Sequence, residues 1–439
     1  MAPSIAYRVS RFRRVTVVPL LVGIAAAAIS LLRLWLGDRS AITETLWAED
    51  GLFPLCIHKA GFWECFADPF AGYWLFLPRL LAWPVSLFPW EQWALVTNLL
   101  GAVITGAVAA VTVVVLRRAG MTMFVAVAAG LLPALAPIVG LESINALGSV
   151  YMPLLFLSTL LVAFPVYRTS GVGTAAVLLV TAMTIPSVVV LVPLILIVAI
   201  RGGVRWRIAG VWLVALGIGL ALQAWISLGA STPRSTSFTL ETVSTWADAV
   251  PVAILTYWPG LTIGEYSLFT NFTLSPWPFT GWLIVGIMTL WGAWALISGL
   301  SRVFAAGVLV ISGLGLGLIP AAIGSPNNRY FVVPLLVWGV AALVLLDPVI
   351  RRSRVWVLAL VTSVVLLIWW PAFPVSGFRA IPQPPWTSET TRVEARCAAE
   401  PDMVERPIFS HFWPPNWGDR LSEPTHPNLP CTVVWRWID

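Results

Sequence analysis

Apolar runs of about 18 or more residues recur along most of this 439-residue chain, and they limit its possible folds more than any other feature. A run of that length is long enough to cross a bilayer as a helix. Only 10% of the residues are charged and the mean hydropathy is +0.87, whereas a soluble domain carries about 25% charged residues. The predicted fold class is therefore all-α, a polytopic transmembrane helical bundle. The 25 Trp and 34 Pro residues suit that setting. Trp favours the membrane interface, and Pro is tolerated in membrane helices where neighbours satisfy the freed backbone groups.

The runs lie near residues 15–36, 93–116, 121–139, 150–167, 171–185, 186–200, 208–228, 279–299, 303–323, 330–346 and 355–371, which makes about eleven spans. The first follows Arg8, Arg11, Arg13 and Arg14. It exceeds the roughly 7–15-residue apolar core of a signal peptide, so it reads as an uncleaved span with a cytoplasmic N-terminus. Residues 73–89 are apolar but short, interrupted by prolines, and carry Arg79. They are expected to form a juxtamembrane or re-entrant helix. The chain thus divides into a membrane domain, 1–371, whose first outer loop spans 37–90, and a Pro- and Trp-rich extracytoplasmic tail, 372–439.

Charge placement orients the bundle. Fourteen of the 26 basic residues fall in loops assigned to the cytoplasm, including Arg117, Arg118, Arg201, Arg205, Arg351 and Arg352. That is the positive-inside pattern. The acids concentrate on the other side, with Asp347 the exception. This distribution argues against nucleic acid as a partner despite the net charge of +6. All four cysteines, Cys56, Cys65, Cys397 and Cys431, fall outside, where disulfides persist. Of their three possible pairings the local one is favoured, Cys56 with Cys65 and Cys397 with Cys431, and free thiols are the alternative.

Chemistry-bearing residues gather on the same outer side. Glu49 and Asp50 lie in Trp47-Ala48-Glu49-Asp50-Gly51, just beyond the first span. Adjacent carboxylates repel, which raises the proton affinity of at least one unless a cation lies near. That suits a general base or a divalent-cation ligand. Asp68 and Tyr73 follow in the same loop, and then Arg79, an arginine at membrane depth whose planar fork suits phosphate. Glu142 and Asn145 occupy the short second outer loop. Asn328, Arg329 and Tyr330 bring two kinds of polar group and a cation to the membrane surface before a late span. Such a convergence beside lipid suits a reaction between a lipid-phosphate donor and an outer-face acceptor.

This layout resembles the GT-C superfamily of polytopic glycosyltransferases that use polyprenyl-phosphate sugars. The resemblance rests on the acidic motif at 47–51 soon after the first span and on the juxtamembrane segment 72–80 that follows it. It rests also on Asn328-Arg329-Tyr330, which is similar to an Arg-Tyr pair before a late span in several members. The histidine and paired prolines of the common juxtamembrane motif are absent. The resemblance implies an inverting enzyme of the cell membrane that moves a sugar from a lipid-linked donor to a glycan, lipid or protein acceptor. Asp50 would be the base, and Arg79, Arg329 and Tyr330 would hold the donor phosphate. Asp68, Tyr73, Glu142, Asn145 and Asn328 would bind substrate. Glu49 would position the acceptor or join Asp50 in binding Mg or Mn. Metal use is left open, because the superfamily holds both kinds of enzyme. The competing expectation is a transporter or flippase of a lipid-linked sugar. Such proteins place ionisable groups near the bilayer midplane, where these spans hold almost none.

Overall fold

The computed structural model describes residues 17–46, 48–70, 72–141, 144–165, 170–228, 240–254, 278–323, 328–370, 373, 385–400, 404–405 and 429–431. The described chain opens with α1 (Val17–Gly37) and the short α2 (Ala41–Glu44). Short helices of the loop after the first span follow: α3 (Leu52–Ala60), α4 (Phe62–Ala67) and α5 (Phe76–Ser86). The bundle continues with α6 (Trp93–Arg118), α7 (Met123–Leu135), α8 (Tyr151–Ala163), α9 (Ser170–Thr184), α10 (Leu191–Ile200) and α11 (Trp206–Leu228). It closes with α12 (Leu240–Val252), α13 (Pro278–Ile297), α14 (Ser301–Ile323), α15 (Val332–Arg352) and α16 (Val355–Trp369). The tail contributes α17 (Trp386–Ala399) and an antiparallel pair of two-residue strands, β1 (Val404–Glu405) and β2 (Leu429–Pro430).

Among the described residues six helices are long and apolar enough to cross a membrane: Val17–Gly37, Trp90–Arg118, Trp206–Leu228, Thr280–Ile297, Ser301–Ile319 and Val332–Arg352. Shorter apolar helices cover the other expected runs. Local sequence explains their shortness. Ile185 is extended (φ −148°, ψ 123°) because the following Pro186 disfavours helix there. Pro186 then opens a 3-10 turn, and α9 and α10 form in place of one long helix. Large apolar side chains stay exposed on the outward faces, among them Leu20, Ile24, Leu283, Leu290 and Leu367. An exposed apolar surface of this kind fits lipid rather than water. The architecture is that of a helical membrane-embedded protein. The segment expected to be juxtamembrane is the eleven-residue α5, with Pro84 inside it.

Small residues bring the first bundle helices together. A Cβ on Gly23 would lie 2.8 Å from the Gly106 carbonyl oxygen, and one on Gly106 would lie 2.6 Å from that of Gly23. The α1 and α6 backbones therefore touch, as membrane helices do where small residues replace bulk. Arg33, on the last turns of α1, is fully buried. It donates to the carbonyls of Ala134 (2.8 Å), Ala136 (2.9 Å), Pro137 (3.3 Å) and Phe373 (2.7 Å). The end of α7 leaves carbonyls without intrahelical partners, and Arg33 supplies the donors.

The helix directions place the polar features at two ends. From Trp93 to Arg118, α6 spans 26 residues, or about 39 Å. At its far end Asp347 accepts from the Thr122 amide (2.7 Å), Arg351 (2.8 Å) and Arg302 (3.1 Å). These bonds tie α14 and α15 to the turn before α7, which explains the one acid predicted on the cytoplasmic side. At the near end lie the first outer loop, the turns at 137–141 and 147–149, the turn at 328–331, and α17.

Candidate functional site

Asp50 is placed by clamps on both sides of it. Upstream, the Asn98 amide on α6 donates to the carbonyls of Ile42 (3.1 Å) and Thr45 (3.2 Å), and Leu46 is buried against the same core. This fixes the chain that enters the 3-10 turn Ala48–Gly51. Across the loop, the Gly148 N–H donates to Asp50 Oδ1 at 2.8 Å. The carboxylate is 1% exposed. A backbone N–H to a carboxylate fixes its orientation.

The rest of the first loop is built around Arg79, which is 2% exposed. Its Nη2 pairs with Asp68 Oδ2 at 3.3 Å, Nη1 donates to the Cys65 carbonyl, and the guanidinium lies 5.2 Å from the centre of the Phe53 ring. Burial pushes the guanidinium down to about 10, with the Asp68 charge and hydrogen bond opposing the shift, so it remains charged at neutral pH. Disulfides join Cys56 to Cys65 and Cys397 to Cys431. The first holds α3 to α4, and with it the carbonyl that Arg79 binds. Tyr73 pairs through its backbone with Phe70 (3.0 and 3.2 Å) around a turn in which Gly72 takes φ +84°. Asp68 and Arg79, read from sequence as separate substrate contacts, are thus each other's partners, and in this arrangement they brace the loop.

Gly148 belongs to the same turn as Asn145, which brings the loop between α7 and α8 to Asp50. Asn145 adopts a left-handed backbone (φ +54°) and is 3% exposed. A Cβ on Gly101 of α6 would lie 2.5 Å from the Asn145 Cα, so this packing requires glycine there. Asn145 lines a small cavity with Gly101, Thr105, Ser149, Val332 and Leu336. Val332 and Leu336 lie on the first turns of α15, directly after the 3-10 turn Asn328–Phe331. That turn packs against the turn Pro137–Leu141. The backbone path therefore brings the 48–51, 145–149 and 328–331 turns to one end of the bundle.

Tyr330 is half-buried in that end. The side chains of Glu49, Asn328 and Arg329 and the whole of Glu142 lie outside the described residues. Among the described residues no group of three or more His, Cys, Asp or Glu side chains converges. Of the carboxylates expected to hold a cation, only the Asp50 side chain is described.

The tail helix covers the loop. Trp386 stacks on Trp93 (6.2 Å between ring centres, 18° between planes), and its Nε1 donates to the Trp90 carbonyl. Trp90 Nε1 donates to Glu394 at 2.8 Å, and Thr387 donates to Glu44 through both its amide (2.9 Å) and its hydroxyl (2.8 Å). Sequence reasoning did not single out Asn98, Gly101 or Arg33. Asn98 had a readable signal as an amide inside an apolar run, where a polar side chain needs a partner. No family model matches this chain and no curated protein matches it, so the residues and their geometry carry the functional reading.

Proposed function

We propose that the protein is an integral membrane glycosyltransferase that moves a sugar from a polyprenyl-phosphate donor to a cell-envelope acceptor on the extracytoplasmic face. The carrying observation is Asp50, a buried carboxylate oriented by the Gly148 amide at the end of the bundle where the polar turns meet. In this reading Asp50 takes the proton from the acceptor hydroxyl as that oxygen attacks the anomeric carbon. The lipid phosphate leaves from the opposite face with inversion, as in other single-displacement glycosyl chemistry. Arg329, with Tyr330 beside it, neutralises charge on the departing phosphate. Glu49 positions the acceptor or, with Asp50, binds a divalent cation. The shorter apolar helices serve as further spans, and the outer loop and tail lie outside.

The reading is supported by where the charges sit. Asp50, Asp68 and Arg79 belong to the loop end of the molecule, and the Asp347 cluster ties the other end together. Transporters instead use ionisable groups near the bilayer midplane, whereas the Arg79–Asp68 and Asp347–Arg302 pairs lie at the two ends of the molecule. The test is transfer by the purified protein in liposomes supplied with polyprenyl-phosphate sugars and envelope glycan acceptors. Formation of a glycosylated acceptor with inverted anomeric configuration is expected. Movement of the lipid-linked sugar between leaflets without transfer would replace this reading with a flippase.

A further inference from the structure

We infer that Asn145 forms a neutral subsite that takes a single hydroxyl group of the donor sugar. This deepens the glycosyltransferase reading and rests on it.

Neither the Nδ2 nor the Oδ1 atom of the Asn145 side chain has a hydrogen-bond partner among the described residues, although the residue is 3% exposed. A buried polar atom without a partner is costly to keep, and here one amide leaves two. The backbone adds to the peculiarity, since Asn145 is held at φ +54° and wedged against Gly101. Such a side chain is kept where something else meets it.

The cavity it lines defines what that is. Its volume is about 20 Å³, room for about one water-sized group, so it admits a hydroxyl and not a whole sugar ring. Among the described residues no charged side chain lines it. A phosphate oxygen would enter without a counter-charge, whereas a hydroxyl offers both the donor that Oδ1 lacks and the acceptor that Nδ2 lacks. Thr105 already donates to the Gly101 carbonyl at 3.0 Å, which leaves its oxygen to accept. Val332 and Leu336 form another wall, immediately after the turn that carries Arg329. A sugar attached to a phosphate at Arg329 is thus the nearest source of that hydroxyl. The site divides its labour: charge recognises the phosphate, and the uncharged Asn145 pocket recognises the sugar.

The test compares binding of polyprenyl-phosphate hexoses and pentoses with binding of the same polyprenyl phosphate lacking a sugar. Asn145→Gly is the variant of choice, because glycine keeps the left-handed backbone while removing the amide. Wild type is expected to bind at least one sugar-bearing lipid more tightly than the bare phosphate. Asn145→Gly should shrink that difference roughly 10–100-fold, as expected for two buried hydrogen bonds, and leave bare-phosphate affinity unchanged. Deoxygenating the sugar at one position should reproduce the loss in wild type and add nothing in Asn145→Gly. An unchanged sugar preference in Asn145→Gly, or none in wild type, would overturn the inference and leave the cavity as a structural water site. Failure of wild type to bind any polyprenyl phosphate would instead remove the glycosyltransferase reading itself.

Discussion

The two buried cores of this molecule are built by different means. The bundle core is almost wholly aliphatic, and its helices approach where Gly and Ala replace bulk, as at Gly23 and Gly106. Charged staples hold its ends, Arg33 at one and Asp347 at the other, while hydroxyls such as Ser158 and Thr181 pair inside it at 2.9 Å. The second core lies under the outer loop and combines Leu52, Phe53, Trp90, Trp93 and Trp386 with both half-cystines of the tail disulfide. Short helices such as α3, α4 and α5 bury too little apolar area to hold themselves together. Disulfides, a buried ion pair and Trp hydrogen bonds make up the difference. The bundle therefore sets the distance between elements, and the cap sets the orientation of the residues proposed to do chemistry. Mutations in the first should unfold the protein, and mutations in the second should spare the fold and disturb the site.

The largest stability effect predicted is that of Trp386→Ala. It removes a large buried side chain that joins α17 to Trp90 and Trp93, which typically costs about 3–5 kcal/mol. The cost should fall on the cap alone: the tail becomes protease-sensitive while thermal unfolding of the bundle is unchanged. Simultaneous loss of bundle stability would show that the two cores are one. Replacing both Cys397 and Cys431 by Ala should weaken the same docking by about 2–4 kcal/mol, read as the same tail cleavage under oxidising conditions. Gly106→Val tests the other core. Its side chain would meet the Gly23 carbonyl, and such overpacking costs about 1–3 kcal/mol. Here the whole-protein melting temperature should drop with no selective exposure of the tail.

The smallest effect expected is a pH dependence of the cap. Burial lowers the His58 pKa from 6.5, against a hydrogen bond from its Nε2 to the Ser86 carbonyl that raises it. The folded cap thus binds a proton less readily than the unfolded chain, so its stability is complete above pH 6.5. It declines as pH falls below that value toward the lowered folded pKa. His58→Gln should flatten the acid limb of a proteolysis-versus-pH curve. An unchanged curve would assign the titration to another group.

Much of the bundle could be read from composition and run length, because a membrane span needs only length and apolarity. The local cysteine pairs were readable for a similar reason, since each joins neighbouring cysteines of the chain. The site was less readable because its contacts are long-range. Nothing near residue 50 announces that its carboxylate meets the amide of Gly148, 98 positions away. Asp68 was recognisable as a polar loop residue and Arg79 as a cation at membrane depth, but an arginine suited to phosphate is equally suited to a carboxylate eleven residues away. Arg33 lies within the first apolar run, and its partners are carbonyls more than 100 positions distant, which carry no side-chain signature. The left-handed backbone of Asn145 depends on packing against Gly101. Asn tolerates that conformation better than most residues, but its sequence neighbours do not impose it.

The most direct measurement is the turnover of Asp50→Asn in purified protein with a polyprenyl-phosphate sugar and an envelope acceptor. Asparagine keeps the shape, and its Oδ1 can still accept from the Gly148 amide, but it cannot take a proton. General-base catalysis contributes about 10²–10⁴-fold, so kcat should fall by that order while donor binding, the melting temperature and tail protection stay as in wild type. Full transfer activity in Asp50→Asn would contradict the assignment of the base, and with it the reading of this end of the molecule as a catalytic site.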